Sequence, residues 1–560
     1  MKNIFKNKSI KIFTVMGLML FSQSCKDILD EKVISAIGND YINTAKGFED
    51  ATKAAYSSLR TFYGTQLGLT LTEYGTDIYA TGADGGYKGF HFYDAQIQPT
   101  VDYMSMLWDE LYRGINTTNA IIERAASVVG VSDATKKLRV AEAKFLRAHY
   151  FYILHQQYGP IELRLKETTG PTKETSRSTD AEIYAQIIKD CNEAIADLEN
   201  KGHSADYGRA TKASAEALLA KVYLAKAYGP SKASDDFQKA ADLCSGLISK
   251  YGFKLLDDFA AVHDENNQQN AEVVFAVQYT TDQISNATNV GGEGGGGNNL
   301  HLFFGMQYDT QAGMVRDVFY GRPFKRLRPT SYLLNTVFAE RTNDSRYKKS
   351  FRDTWKSNSP GTFNTVFDIS KPKVTFASGD TTIFIPGYEM SSAERATKKY
   401  QVLTPSMYSE ALFPTLQKFF DTKRSDRTEP RGSRDHFVWR LADIYLMHAE
   451  ALLQLGKKSE ATAALNAVRE RAAWPGKKDA MKITDDQMTF DFLMEERARE
   501  LAGEQTRWLD LKRWGKLVER VKAHNPQAAA NVKDMHYVRP IPQTQIDRSV
   551  KGAFAQNPGY

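Results

Sequence analysis

The stretch GRATKASAEALLAKVYLAKAYGP, Gly208–Pro230, decides the fold. It has the apolar spacing of an amphipathic helix, and the Gly229-Pro230 pair at its end is a strong stop signal. A second helical pattern, DDFQKAADLCSGLIS at Asp235–Ser249, follows this stop. Together the two segments predict a helical hairpin.

The same arrangement occurs immediately upstream. A helical pattern ends at Gly159-Pro160, and a second helix is predicted from about Asp180. Apolar residues at three- and four-residue steps place one stripe on each of these helices. The stripes are Leu138, Ala141, Phe145, Ala148 and Tyr152 on the first helix, and Ile183, Ile187 and Ala194 on the second.

A third hairpin is predicted at Asp443–Ala472, where Ala449, Leu455-Gly456 and Ala461 match the small and turn positions of a tetratricopeptide repeat. A fourth pair, 45–63 with 105–129, is split by a long loop. We therefore predict a mostly α protein with a tetratricopeptide-like scaffold of about four helix pairs. The alternative is a generic helical bundle.

Residues 256–435 differ from the rest of the chain. Gly, Pro, Asn and Thr are mixed there with short β-prone runs, and no long helical stripe persists. We predict an irregular, loop-rich insert that carries recognition on a rigid scaffold. The predicted organisation is a helical repeat region at 45–255, the insert at 256–435 and a C-terminal region at 436–560.

The N-terminus predicts export and a lipid anchor. Four lysines precede a short apolar run, Ile12–Phe21, which is too short to span a membrane. This is the layout of a signal peptide, predicted at 1–24. Ser22-Gln23-Ser24-Cys25 resembles a lipobox, so Cys25 is the predicted lipidation site, followed by a tether at 25–44. The alternative is an ordinary secreted protein with an incidental cysteine.

Charge argues against a nucleic-acid ligand. The 560-residue chain has 73 basic and 67 acidic residues, a net charge of +6. Four of the basic residues lie in the predicted signal peptide, so the mature chain is nearly neutral, and no clustered basic face is evident. The other two cysteines, Cys191 and Cys244, sit in helical patterns and are predicted to be buried free thiols, with a disulfide between them as the alternative.

No motif predicts catalysis, a cofactor or a metal. The chain has no HExxH or GxSxG pattern, and its ten histidines do not fall at metal-ligand spacing on a helix. The run GGEGGGG lacks the residues of a phosphate-binding loop. Glu495-Glu496 lie in a segment of alternating charge, which predicts a solvated or interhelical charged face.

Two loop segments combine aromatic rings with polar groups, as sugar-binding sites do. The first is Glu73–Asp94, with the candidate residues Asp77, Tyr79, Tyr87, Phe90 and His91. The second is Gly291–Arg328, with the candidate residues Asn299, His301, Phe303, Tyr308 and Arg322. For any single aromatic residue, packing within the loop is the alternative role.

Several phrases, in order along nearly the whole chain, resemble the SusD/RagB family. They are AEAKFLRAHYFYILHQQYGPI (Ala141–Ile161), GRATKASAEALLAKVYLAKAYG (Gly208–Gly229), FVWRLADIYLMHAEALLQLG (Phe437–Gly456), ERARELAGEQTRWLDLKRWG (Glu496–Gly515) and the terminal IPQTQIDRS and QNPGY. The resemblance implies a surface-exposed outer-membrane lipoprotein with four tetratricopeptide-like repeats, seated on a SusC-like TonB-dependent barrel.

The resemblance also implies a binding protein without catalysis. Such proteins capture glycans for import, and the alternative within the family is capture of peptides. A glycosidase acting through an unrecognised carboxylate pair is a third hypothesis. By resemblance the ligand lies at 73–94 and 291–328, whereas Trp508, Asp510 and Trp514 belong to the C-terminal signature and have a structural role.

Overall fold

The computed structural model describes residues 39–170, 175–282, 286, 297–365, 372–549 and 554–560. Cys25, the predicted signal peptide, most of the predicted tether and residues 291–296 of the glycine run lie outside the described residues. Within the described part of the chain, we find no helix with the length and apolar character needed to cross a membrane.

The fold is mostly α, as predicted. In the N-terminal part the helices are α1 (Ala45–Ser57), α2 (Gln66–Thr72), α3 (Gly89–Phe92), α4 (Asp102–Arg124), α5 (Asp133–Tyr158), α6 (Asp180–Asp197), α7 (Lys212–Ala227) and α8 (Asp236–Lys250). The others are α9 (Phe259–Val262), α10 (Leu300–Phe303), α11 (Arg346–Ser350), α12 (Ser392–Ala396), α13 (Leu441–Gln454), α14 (Lys458–Ala472), α15 (Lys478–Met481), α16 (Phe490–Leu501), α17 (Arg507–Arg513), α18 (Leu517–His524) and α19 (Gln543–Arg548).

Local sequence sets the ends of the scaffold helices. The Thr179 side chain accepts a hydrogen bond from the backbone N–H of Glu182, whose carboxylate accepts one from the Thr179 N–H in return. This reciprocal cap satisfies two backbone donors that α6 would otherwise leave unpaired. Helix α5 ends at Tyr158, and the next residue, Gly159, has a φ of +70° that glycine adopts without steric cost. The predicted stop signals therefore act as stops.

The helices pack as four consecutive hairpins. Helix α1 packs on α4, α5 on α6, α7 on α8, and α13 on α14, while α4–α5, α6–α7 and α8–α13 form the contacts between neighbouring pairs. Ala213, Ala217 and Ala220 of α7 are completely buried, and their small side chains permit close helix contacts. The predicted stack of about four pairs is confirmed, with a long loop inside the first pair and the insert between the third and the fourth.

The strands are short and lie mainly in the insert. They are β1 (Tyr79–Thr81), β2 (Val273–Val277), β3 (Leu327–Pro329), β4 (Phe351–Arg352), β5 (Thr354–Lys356), β6 (Gly361–Asn364), β7 (Lys373–Phe376), β8 (Thr381–Phe384), β9 (Gln401–Val402), β10 (Thr415–Leu416) and β11 (His436–Arg440). β2 pairs antiparallel with β11, which leads directly into α13. This ladder holds the two ends of the insert together at the scaffold.

The insert has a small core of its own. Met306, Tyr308, Trp355, Ile383 and Phe413 are fully buried together, apart from the main helical core. The Tyr308 and Trp355 rings stack with centroids 4.6 Å apart. The insert is therefore a packed platform on which individual loops can be fixed.

Buried ion pairs tie the C-terminal region to the insert. We call this set, centred on Arg440, Glu500 and Arg346, the C-terminal ion network. Arg440 contacts Glu272 at 3.0 Å, Glu500 at 2.5 Å and Glu504 at 2.8 Å. Arg346 contacts Glu496 at 2.8 Å and Glu500 at 2.9 Å. Of the two interpretations of the charged segment, the interhelical one is correct for Glu496, which is fully buried.

The remaining structural predictions agree with the packing. Trp508, Asp510 and Trp514 are all buried, in agreement with a structural role. Cys191 and Cys244 are buried free thiols, so the disulfide alternative is wrong. Burial raises the pKa of both thiols, which keeps them protonated and unreactive.

Candidate functional site

The structure brings the two suspected loop segments into contact. Strand β1 of the first segment pairs antiparallel with β3 of the second, with Tyr79 opposite Pro329 and Thr81 opposite Leu327. Backbone hydrogen bonds extend the pairing, from Gly82 N–H to Arg326 O at 3.0 Å and from Asp84 N–H to Lys325 O at 3.3 Å. We call residues 73–94 and 297–330, joined in this way, the loop junction.

Most of the candidate side chains lie beneath the surface of the loop junction. Eight of the ten are at most 5% exposed: Asp77, Tyr79, Phe90, His91, Asn299, His301, Phe303 and Tyr308. Tyr87 and Arg322 are partly exposed. The eight buried residues have packing positions in this structure, so ligand contact by them stays a prediction.

Asp77 and His91 illustrate why the first segment is buried. The Asp77 carboxylate forms ion pairs with Arg507 at 2.6 Å and Arg520 at 3.3 Å. Burial alone would raise the pKa of Asp77, but these guanidiniums hold it below its ordinary value. His91 Nδ1 accepts a hydrogen bond from the Gly75 N–H at 3.2 Å, and burial lowers its pKa to about 3, which keeps it neutral. Both residues fix the loop from below.

The second segment is anchored in the same way. The Tyr308 hydroxyl donates to the Gly321 carbonyl at 2.6 Å. Phe303 lies against the Arg326 guanidinium, whose central carbon is 5.3 Å from the ring centroid. His301 is buried with neither ring nitrogen hydrogen-bonded, and burial keeps its pKa well below the ordinary value. These rings pack the loop junction and do not present a platform to solvent.

Tyr87 is held in one orientation at the surface. Its ring stacks on Tyr103 with centroids 3.6 Å apart, and its hydroxyl donates to Asp102 Oδ2 at 2.9 Å. Burial and the Asp102 carboxylate raise the pKa of Tyr87 to about 12. Its backbone φ is +59°, a left-handed conformation that is uncommon for a bulky residue. The turn before it, Ala83–Gly86, is largely exposed.

An open cleft of about 640 Å³ lies beside the loop junction, which we call the junction cleft. Ala80 and Arg328 from the paired strands form one wall. Aromatic and polar residues from other parts of the chain form the rest, among them Tyr332, Tyr408, His524 and Gln527. The Tyr332 and His524 rings stack with centroids 3.8 Å apart, which fixes both orientations.

Ala80 and Arg328 of the cleft lie within the two predicted segments, whereas no sequence pattern marks Tyr332, His524 or Gln527. Tyr332 follows the second segment, and His524 ends α18, nearly two hundred residues further on. Gln527 is fixed because its Oε1 accepts a hydrogen bond from the Thr81 N–H at 3.1 Å. Only the resemblance to a family could have related these segments, because no local pattern links them.

The residues that line the junction cleft have the chemistry of a ligand-binding site. Its rings offer apolar faces, and its Arg, His, Gln and Asn side chains offer hydrogen-bond donors and acceptors. Among the described residues, no group of three or more His, Cys, Asp or Glu side chains could hold a metal ion. The site is therefore a candidate binding site.

Two family models match the chain. One, described as the SusD family, matches residues 260–560. The other, described as "Starch-binding associating with outer membrane", matches residues 38–224. The SusD-like protein P25 of Formosa agariphila is 25% identical over 578 residues, covering 98% of this chain and 99% of the relative. The SusD-like protein P2 of the same organism is 26% identical over 581 residues, covering 99% and 100%.

Solved structures show the same fold. A SusD homologue of Bacteroides thetaiotaomicron superposes with a TM-score of 0.72 at 21% identity, covering 93% of this chain and 98% of that one. The surface glycan-binding protein A of Bacteroides thetaiotaomicron, solved in complex with laminarihexaose, superposes with a TM-score of 0.67 at 20% identity, covering 92% and 99%. Family models match both halves of the chain, and the SusD family model alone matches more than half of the sequence, so this chain belongs to the SusD/RagB family.

Proposed function

We propose that the protein captures glycans at the cell surface and delivers them to a SusC-like TonB-dependent transporter of the outer membrane. The observation that carries this proposal is the loop junction beside an open cleft. Rings and hydrogen-bonding side chains are combined there on a rigid scaffold, as a site for pyranose rings requires. The proposed contacts are Tyr87 and Arg322 from the sequence, with Arg328, His524 and Gln527 from the cleft.

The relatives support this assignment. One structural neighbour is named as a laminarin-binding SusD-like protein, and another was solved with laminarihexaose. Stacking and hydrogen bonds in an open, hydrated site predict modest affinity for a single oligosaccharide, because little surface is buried. We propose binding without catalysis, since neither the sequence nor the described site offers a recognised catalytic arrangement.

Affinity electrophoresis of the full-length protein tests glycan capture. Gels containing different polysaccharides should retard the protein in at least one case, whereas heat-unfolded protein should not be retarded. An extended-peptide library serves as the opposing panel. Binding to peptides with no retardation by any glycan would replace glycan capture by peptide capture, and release of reducing ends from a glycan would contradict a binding role.

We further propose that Cys25 carries the lipid that anchors the protein to the outer membrane. Labelled palmitate should enter the wild-type protein and be absent from Cys25→Ala. Partnership with a SusC-like barrel predicts that the protein co-purifies with such a transporter from detergent-solubilised outer membranes. Recovery of the lipidated protein alone, under conditions that preserve membrane complexes, would contradict the delivery step.

A further inference from the structure

The loop junction contains cations without carboxylate partners. The described ion pairs do not include four of its basic residues: Lys88, Lys325, Arg326 and Arg328. Lys88 Nζ donates to the Gly82 carbonyl at 3.0 Å, which is a neutral partner. Arg328 forms no described ion pair with Glu410. The Glu410 carboxylate acts to raise the pKa of Arg328, but burial has the larger effect and lowers it.

Arg326 is the most informative of these residues. It is only 6% exposed, and both its Nε and its Nη1 are buried without a hydrogen-bond partner. Its stem fills the space under the exposed turn, because a Cβ atom at Gly85 would lie 2.9 Å from its Cδ. Its guanidinium carbon lies 4.6 Å from the Phe324 ring centroid, which offsets only part of its desolvation.

Backbone geometry directs these charges to one place. Arg326 and Arg328 are two residues apart in extended chain, so their side chains leave the same face of the β1/β3 pairing. Arg328 lines the junction cleft. Lys325 adopts a left-handed φ of +47° beside them, and its carbonyl accepts the hydrogen bond from Asp84.

Among the acidic groups nearby, Glu495 lines the junction cleft and its Oε1 accepts a hydrogen bond from the Tyr332 hydroxyl at 3.4 Å, and neither Asp84 nor Glu410 forms a described ion pair with these cations. Asp84 is exposed, and its Oδ1 accepts a hydrogen bond from the Gly85 N–H at 2.6 Å. Glu410 is also exposed and accepts from Gln527 Nε2 at 3.3 Å. A buried cation without a carboxylate partner is costly, and an anion with good hydrogen-bond geometry offsets part of that cost. The site is thus complementary to negative charge.

Resting on the glycan capture proposed above, we propose that the ligand of the loop junction is an acidic glycan, whose carboxylate or sulfate groups pair with Arg328 and the cations around it. A neutral glycan could stack on the aromatic rings, but it would bring no negative charge to pair with these cations. Guanidinium groups bind both carboxylate and sulfate oxygens through charge-assisted hydrogen bonds. The two anionic groups are therefore separate arms of the test.

Matched glycan pairs isolate the contribution of charge. The first arm compares galacturonate oligomers with their methyl esters, and the second compares sulfated laminarin with laminarin, all by calorimetry with the full-length protein. We expect the charged member of at least one pair to bind about tenfold more tightly. Raising the ionic strength from about 0.05 M to about 0.5 M should remove most of this difference.

Matched variants locate the effect. Arg328→Gln should lose about tenfold in affinity for the charged probe and change little for its neutral partner. Lys232→Gln, an exposed lysine between α7 and α8, is the control and should bind as wild type does. Arg326 is unsuitable for this test because its burial makes loss of folding the expected result of substitution.

The outcomes separate this inference from the proposed function. Equal or tighter binding of the neutral members, insensitive to salt, would overturn the acidic ligand and leave glycan capture intact. Equal losses in Arg328→Gln and Lys232→Gln would also overturn it, because the attraction would then belong to the whole surface. Absence of binding to every glycan, acidic or neutral, would overturn the proposed function and this inference with it.

Discussion

Buried cations are paired in the C-terminal ion network, whereas in the loop junction they lack carboxylate partners. In the network, Arg440 meets three carboxylates within 3.0 Å. In the loop junction, Arg326 is almost as well buried, yet two of its nitrogens have no partner. Charges paired within the chain fix its architecture, whereas charges left unpaired near a cleft favour an external partner.

Breaking the network should have the largest effect. Arg440→Gln leaves Glu272, Glu500 and Glu504 without their shared cation, so we expect the free energy of unfolding to fall by about 3–5 kcal/mol. Urea unfolding measures this loss. Lys232→Gln, whose side chain is exposed, should change it by less than about 0.5 kcal/mol. A loss in Arg440→Gln no larger than in this control would contradict a stabilising role for the network.

Acid should weaken the network by a somewhat smaller amount. Burial alone would raise the pKa of Glu500, but the Arg471 and Arg440 guanidiniums lower it from 4.5 to about 2. A lowered folded-state pKa gives stability that is complete above pH 4.5 and is lost as the pH falls from 4.5 towards 2. This shift corresponds to about 3 kcal/mol for Glu500. Urea unfolding at several pH values should show the loss.

A matched variant assigns the acid effect to this carboxylate. Glu500→Gln cannot titrate, so its unfolding free energy should depend less steeply on pH below 4.5 than that of the wild type. Identical pH profiles for the two proteins would show that other carboxylates account for acid unfolding.

Asp77 tests whether a residue of the loop junction has a role in packing or in binding. Asp77→Asn removes the charge that faces Arg507 and Arg520, and we expect a loss of about 2 kcal/mol in the free energy of unfolding. Glycan affinity measured on the folded protein should stay within about twofold of wild type, because the side chain is fully buried. Unchanged stability with lost affinity would instead assign Asp77 a role in ligand binding.

Sequence predicts the scaffold well because its signals are local. The apolar stripe of α5, the Gly159-Pro160 stop and the small residues of α7 each act within a few turns of helix. The glycine- and aromatic-rich composition of 73–94 likewise located one side of the loop junction. Composition has no period, however, so it could not distinguish the buried Tyr79 from the partly exposed Tyr87.

The rest of the site depends on contacts between distant parts of the chain. The composition around Asp77 predicts a ligand contact, whereas its ion-pair partner Arg507 lies 430 residues away and could not be inferred from the sequence. His524 and Gln527 reach the junction cleft from the C-terminal region, where the sequence shows only charged helices. The sequence contains acidic residues, Asp84 and Glu410, that could pair with Arg326. Only the folded structure shows that Arg326 forms no described ion pair with them.

Tyr87 provides the smallest and most local test. Removing the ring in Tyr87→Ala should weaken glycan binding about tenfold, because a fixed aromatic face is lost, and should cost at most about 1 kcal/mol of stability. Tyr87→Phe keeps the ring stacked on Tyr103 and loses only the hydrogen bond to Asp102, so its affinity should stay within about twofold of wild type. Both variants keep a side chain at the left-handed φ, so backbone strain does not distinguish them.

Tyr445→Ala on α13 controls for loss of a tyrosine ring from the scaffold. Affinity electrophoresis compares all three variants, and equal retardation of Tyr87→Ala and Tyr87→Phe would remove Tyr87 from the site.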